Sequence, residues 1–186
     1  MSFHDELRSR LRRVPLGQPP APWRQVASHA VGGLTEVGFG GRSDLLLVVS
    51  SRGRGLFDGR SGVRVARDPS PPDDGWYDEV RLTASGIGPL GDPLIRLAGL
   101  HGGGLSACTE DGWGVTRIAP DWPLESIVLD PPGSSVLYEG HDKGCIRIAE
   151  GFEMRAYGFS ETGLSLVVAT SDHVELWGRP DRLKTR

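Results

Sequence analysis

The residues best suited to chemistry are two histidine–cysteine pairs. His101 stands seven residues before Cys108, and His141 four before Cys145. Four such ligands can hold zinc tetrahedrally, but these spacings match neither ribbons nor fingers. The pairs read instead as reduced thiols beside turn histidines, and no role shared by the four is assigned. Gly86-Ile87-Gly88-Pro89-Leu90-Gly91 matches the G-x-G-x-x-G spacing that lets a pyrophosphate approach a helix N-terminus. Pro89 and Pro93 interrupt the segment and a strand-like run follows, so it reads as a turn between strands. Acids occur in adjacent pairs, Asp73-Asp74, Asp78-Glu79 and Glu110-Asp111. A glycosidase needs two carboxylates facing each other across roughly 5–10 Å, which neighbours on a turn do not supply. There is no P-loop and no G-x-S-x-G elbow. No catalytic residue, cofactor or metal site is assigned.

A binding surface is better marked. Asp73-Asp74-Gly75-Trp76-Tyr77-Asp78-Glu79 joins four acids to two large aromatics inside a proline-bounded insertion. Aromatics supply binding energy at interfaces, while acids steer and orient a basic partner. Trp113 and Trp122 follow similar turns, in Glu110-Asp111-Gly112-Trp113 and Pro120-Asp121-Trp122-Pro123. The candidate partner-binding residues are therefore Asp73, Asp74, Trp76, Tyr77, Asp78, Glu79, Trp113 and Trp122. The three tryptophans either line one rim or pack between units.

The elements that must hold these residues are mostly strands. Residues 1–22 read as a short helix, with Phe3, Leu7 and Leu11 at i, i+4 and i+8 and Ser2 as N-cap, followed by a proline-rich linker from Pro15 to Pro22. Residues 23–178 read as one β-repeat domain, and 179–186 as a basic tail. Short apolar runs separated by Gly, Pro, Asp and Ser predict strands at Leu45–Ser50, Val63–Ala66, Glu79–Thr83, Leu94–Ala98, Ser126–Leu129, Cys145–Ile148, Leu164–Ala169 and Val174–Trp177.

An internal repeat organises the runs. Gly103, Gly133 and Gly163 recur at thirty residues, as do Val136-Leu137-Tyr138 and Leu166-Val167-Val168. Gly38-Phe39 precedes Leu45–Ser50 and Leu56-Phe57-Asp58 much as Gly158-Phe159 precedes the last copy, 120 residues on. Each copy reads as turn, strand, tight turn, strand, and a lone hairpin of that kind must stack on neighbours to be stable. Gly158-Phe159-Ser160 through Gly163, Leu166, Ser171-Asp172 and Leu176-Trp177 resembles blades of the WD-repeat β-propeller family. The resemblance covers about residues 36–58 and 96–178. It implies an all-β fold of repeated antiparallel hairpin units, a small propeller of four or five short blades, acting as a binding scaffold; a β-sandwich is the alternative. It assigns no functional residue.

Net charge is −3, but the ends are basic and residues 25–178 carry 12 bases against 21 acids. Such a body repels nucleic-acid phosphates and favours basic proteins. No run is long enough to cross a bilayer as a helix. The N-terminal segment has no apolar h-region, which points to the cytoplasm. The expectation is a bacterial, cytoplasmic, non-enzymatic protein-binding module, monomer or homodimer, of the immunity-protein or antitoxin kind. The alternative is a small β-fold hydrolase or ligand-binding domain using His101 or His141 with a distant carboxylate in a central cleft.

Overall fold

The computed structural model describes residues 3–181. Helix α1 (Phe3–Arg13) leads through the proline linker into strand β1 (Arg24–Ala30). Then β2 (Leu34–Phe39), β3 (Leu45–Ser50), β4 (Gly53–Asp58) and β5 (Arg64–Asp68) form an antiparallel meander. A second, smaller sheet comprises β6 (Tyr77–Asp78), β7 (Thr83–Ser85) and β8 (Leu94–Arg96). Two residues later β9 (Ala98–Gly99) has changed sheets and pairs with the inner edge of β2. The third sheet is β10 (Gly114–Asp121), β11 (Leu124–Asp130) and β12 (Ile146–Gly151). The fourth is β13 (Met154–Phe159), β14 (Ser165–Thr170) and β15 (His173–Gly178), completed on its outer edge by β1. The chain is all-β apart from α1, in four antiparallel sheets.

The sheets stack, and their apolar faces meet in three cores. Leu47, Val49, Leu56, Trp76 and Ile95 fill the space between the first and second sheets. Leu46, Val48, Phe57, Val167 and Leu176 fill that between the first and fourth. Ile127, Leu129, Leu166, Val168 and Trp177 fill that between the fourth and third. This explains why Leu45–Ser50 reads as an unbroken apolar run: alternate residues point into different cores, so both faces are buried. A fourth cluster sets Leu11 and Val14 of the helix segment against Ile118, Val128, Val136 and Cys145. α1 is thus docked, held also by Arg12 on Asp121 and by Arg147, whose Nε donates to the Val14 carbonyl at 2.8 Å. The expected N-cap, Ser2, and the tail residues 182–186 lie outside the described residues. Arg179 is no tail residue: it is buried, pairs with Asp111 through two nitrogens, and lies over the Trp23 ring.

The long repeat is present in the fold. β2, β3 and β4 correspond residue for residue with β13, β14 and β15 at a spacing of 120. Gly38 and Gly158 do the same job: a side-chain carbon at either would strike a neighbouring segment, the Arg96 carbonyl in one case and Leu105 in the other. The thirty-residue interval does not hold between them. Gly163 lies in the β13–β14 turn, Gly133 in the long β11–β12 connection, and Gly103 just after β9. Val136–Tyr138 forms no strand; Val136 tucks under α1 while Leu137 and Tyr138 are exposed. The 120 residues span three steps between four sheets, a mean of forty each. Glycines fall in many of the turns and connections, and that made the shorter interval visible in the sequence. Of the expected strand Glu79–Thr83 only Thr83 is in a strand, because the Asp78 carboxylate accepts from the backbone N–H of Val80 and Arg81 and turns the chain over residues 79–82.

Candidate binding face and the Glu36 cluster

Strand directions gather one set of turns at one end of the molecule. The β3–β4 turn meets the start of β2 through Ser51 N–H on the Gly33 carbonyl. The β14–β15 turn joins it, with Leu34 N–H on Ser171. The β12–β13 turn and the β14–β15 turn together wall a cleft of about 330 Å³. Glu125 pairs with Gly151, which brings the Trp122-Pro123 turn beside Phe152. Leu100 N–H donates to Thr35, and Leu97 N–H to Leu82, which places the β6–β7 turn here too.

Four large apolar side chains lie exposed on these turns: Trp122, 75% exposed, with Phe152, Val80 and Leu100. Asp78, Asp121, Glu153 and Asp172 are there too, but each has a basic partner: Arg81, Arg12, Arg155 and His173. Those on Asp78, Asp121 and Asp172 draw their carboxyls below the ordinary range, chiefly through hydrogen bonds from Arg81 N–H, the Arg12 guanidinium and His173. Glu79 stays mostly uncompensated, its carboxylate 3.9 Å from His101. Asp73 and Asp74 are exposed on a short 3-10 turn in the connection that leaves β5 at this end.

Two of the expected aromatics are elsewhere. Trp76, 8% exposed, is a core residue beneath the Arg54 guanidinium, its Nε1–H on the Ser70 carbonyl. Trp113, 6% exposed, packs edge-on to Trp23 at 6.1 Å. Both follow turns but enter strands whose inner faces need large side chains, so the three tryptophans do not share a rim. Tyr77 is half-buried.

Tyr77 leads to a cluster that pattern reading missed. Glu36, in β2, is fully buried, and its Oε1 lies 2.6 Å from His101 Nδ1. The carboxylate fixes the tautomer: Nδ1 carries the proton and donates it to Glu36. The Tyr77 hydroxyl sits 2.9 Å from the same nitrogen, and burial, then Glu36, raises its pKa so that it stays a phenol. Glu36 Oε2 has no partner among the described residues. His101, 39% exposed, turns its Nε2 outward. A buried carboxylate orienting a partly exposed imidazole is an arrangement able to accept a proton at Nε2. The one available signal was an acid inside an apolar strand, Leu34-Thr35-Glu36-Val37.

The other motifs fall away from this end. Cys145 is buried near Asp130, and burial with that hydrogen bond pushes its thiol up to about 12. Cys108 is exposed, and no group of three metal-ligating side chains gathers among the described residues. Gly86–Gly91 forms a turn with one short 3-10 segment and no α-helix behind it. No described helix is long and apolar enough to cross a membrane. No protein-family model matches the chain, and a search of the curated proteins finds no match.

Proposed function

We propose that this chain is a non-enzymatic protein-binding module, a small propeller-like stack of four blades whose turn end docks a basic protein. The observation that carries the reading is that Trp122, Phe152, Val80 and Leu100 all lie exposed on turns at one end of the strands, Val80 next to an acid, Glu79, that lacks a close cation. Exposed aromatics rimmed by uncompensated charge are the composition of docking surfaces. The finer architecture draws on β1, which completes the last sheet and ties the chain's beginning to its end. A basic enzyme masked in this way would make the protein an immunity protein or antitoxin of the bacterial cytoplasm. The test is affinity purification from the host with wild type beside Trp122→Ala/Phe152→Ala/Glu79→Ser. A basic protein held by wild type, released by salt and lost by the variant supports the reading; equal retention by both overturns it.

A second reading, a small hydrolase, rests on Glu36 and His101. No Ser, Thr or Cys among the described residues is hydrogen-bonded to His101 Nε2, so this chemistry would have to activate water. Glu36→Gln and His101→Ala, each abolishing ester hydrolysis without unfolding the chain, would favour it over docking.

A further inference from the structure

β1 and the first sheet do not close on one another, and between them lies a cleft of about 430 Å³, within the range of small-molecule sites. Its floor follows from strand register. Gly55 sits between Val48 and Arg67, and Phe57 pairs with Arg64. Alternation places Gly55 and Phe57 on one face, and a side-chain carbon at Gly55 would press on the Phe57 ring at 3.1 Å, so the glycine seats that ring in the cleft floor. The facing wall is β1, where the His29 ring lies 4.8 Å from Phe57 and its Nε2–H donates to the Gly62 carbonyl at 2.7 Å.

The charge at this cleft has one sign. Arg52, Arg64 and Arg67 line it and no acid does. Arg67 is held in place by backbone carbonyls, those of Arg54 at 3.1 Å and Asp68 at 2.5 Å and that of Arg52, so its charge meets no carboxylate. The nearby Asp68 carboxylate is spent on Arg54. Arg52 and Arg64 have no ion-pair partner among the described residues. In a body with nearly twice as many acids as bases, three uncompensated guanidinium groups around an aromatic floor form a built feature.

We infer that this cleft binds a small organic anion, an oxyanion carried on a flat apolar body. The oxyanion, phosphate or carboxylate, takes the forked donors of Arg52 and Arg64, whose geometry matches it. The flat body lies against Phe57 and Val48 where they line the cleft. The inference is separate from protein docking, since neither Trp122 nor Glu79 lines the cleft.

The full chain is titrated with phenyl phosphate, benzoate, inorganic phosphate and benzyl alcohol, read by calorimetry and by the His29 ring resonances. Phenyl phosphate or benzoate is expected to saturate and shift His29, with inorganic phosphate and benzyl alcohol each at least about tenfold weaker. Whichever aromatic anion binds tighter names the oxyanion. Arg52→Ser/Arg64→Ser should weaken binding by about tenfold per arginine, while Arg96→Ser, on β8, leaves it unchanged. Gly55→Val pushes the Phe57 ring from its seat and keeps every charge, so it should lose the aromatic anions and retain weak phosphate binding. Absence of saturation below about 10 mM for both aromatic anions would overturn the inference. So would benzyl alcohol binding as well as they do, or full affinity in either cleft variant.

Discussion

Replacing His101 with alanine removes the hydrogen bond that its Nδ1 makes to a fully buried carboxylate. Glu36 is wholly buried, its Oε2 has no partner among the described residues, and His101 Nδ1 serves Oε1 at 2.6 Å. Breaking a fully buried ion pair costs about 3–5 kcal/mol because a lone charge stays behind. Here the imidazole is 39% exposed, so its loss opens a path for water to Oε1 and lowers the cost. A charge-assisted hydrogen bond is worth about 1.5–3 kcal/mol, and about 2 kcal/mol is the expected destabilisation. In a Glu36→Gln background the same change breaks only a neutral hydrogen bond, about 1 kcal/mol. The coupling between the two sites should therefore be about 1 kcal/mol, measured by urea denaturation at pH 7 with the m-value unchanged across the four proteins. His173→Ala, which breaks an exposed pair with Asp172, should leave the urea midpoint unchanged and serves as control. If His101→Ala costs no more than the control, or costs the same in both backgrounds, Glu36 is not held as a carboxylate by His101.

Arg179→Met should destabilise by about 3 kcal/mol in the same assay, because Asp111 loses both nitrogens of its guanidinium partner and Trp23 its cation. Gly38→Ala and Gly158→Ala should both prevent folding, seen as loss of dispersed amide resonances. Gly133→Ala, which meets nothing within 4 Å but has φ +77°, should cost only about 1 kcal/mol. Iodoacetamide at pH 8 should label Cys108 in the folded protein and reach Cys145 only after unfolding, as mass spectrometry would show. Because the folded Cys145 thiol is raised from an ordinary value near 9 to about 12, the stability it confers is full below pH 9 and is lost as pH climbs toward 12. A Cys145→Ala variant should show a flatter decline across that window.

Much of the fold was legible because short strands leave a clear trace. Leu45–Ser50 is β3 to the residue, and the runs beginning at Ser126, Leu164 and Val174 match strands within one or two residues at each end, while Leu94–Ala98 divides at Leu97 between β8 and β9 in two different sheets. The helix was legible from Phe3, Leu7 and Leu11, and its docking was not, since nothing local reveals that Leu11 meets Val128 and Cys145. Failure came where local chemistry overrode alternation. Asp78 caps a turn inside an apolar stretch, and Leu82 in that turn has φ +52°. The repeat was half legible: an interval of 120 divides equally well by thirty and by forty, and only long-range pairing decides between them.

The candidate sites follow a rule that the repeat itself supplies. Where the first and fourth sheets share a residue type or role, as at Gly38 and Gly158 or Phe39 and Phe159, the residue serves packing. Where they diverge, the first sheet carries the chemistry. Glu36 corresponds to the buried Ala156, so a carboxylate has entered a slot that the fourth sheet fills with a methyl group. Arg54 corresponds to the buried Val174, and Gly55 to Glu175, a side chain where the first sheet has none. Burial holds the Glu175 carboxyl above its ordinary value, which shows what that slot does to a charge. A scaffold needs neither a sealed carboxylate nor a missing side chain at these points, since its own second copy folds without them. The departures are therefore chosen against a working alternative, and that argues that the Glu36 cluster and the arginine cleft answer to binding or chemistry more than to stability.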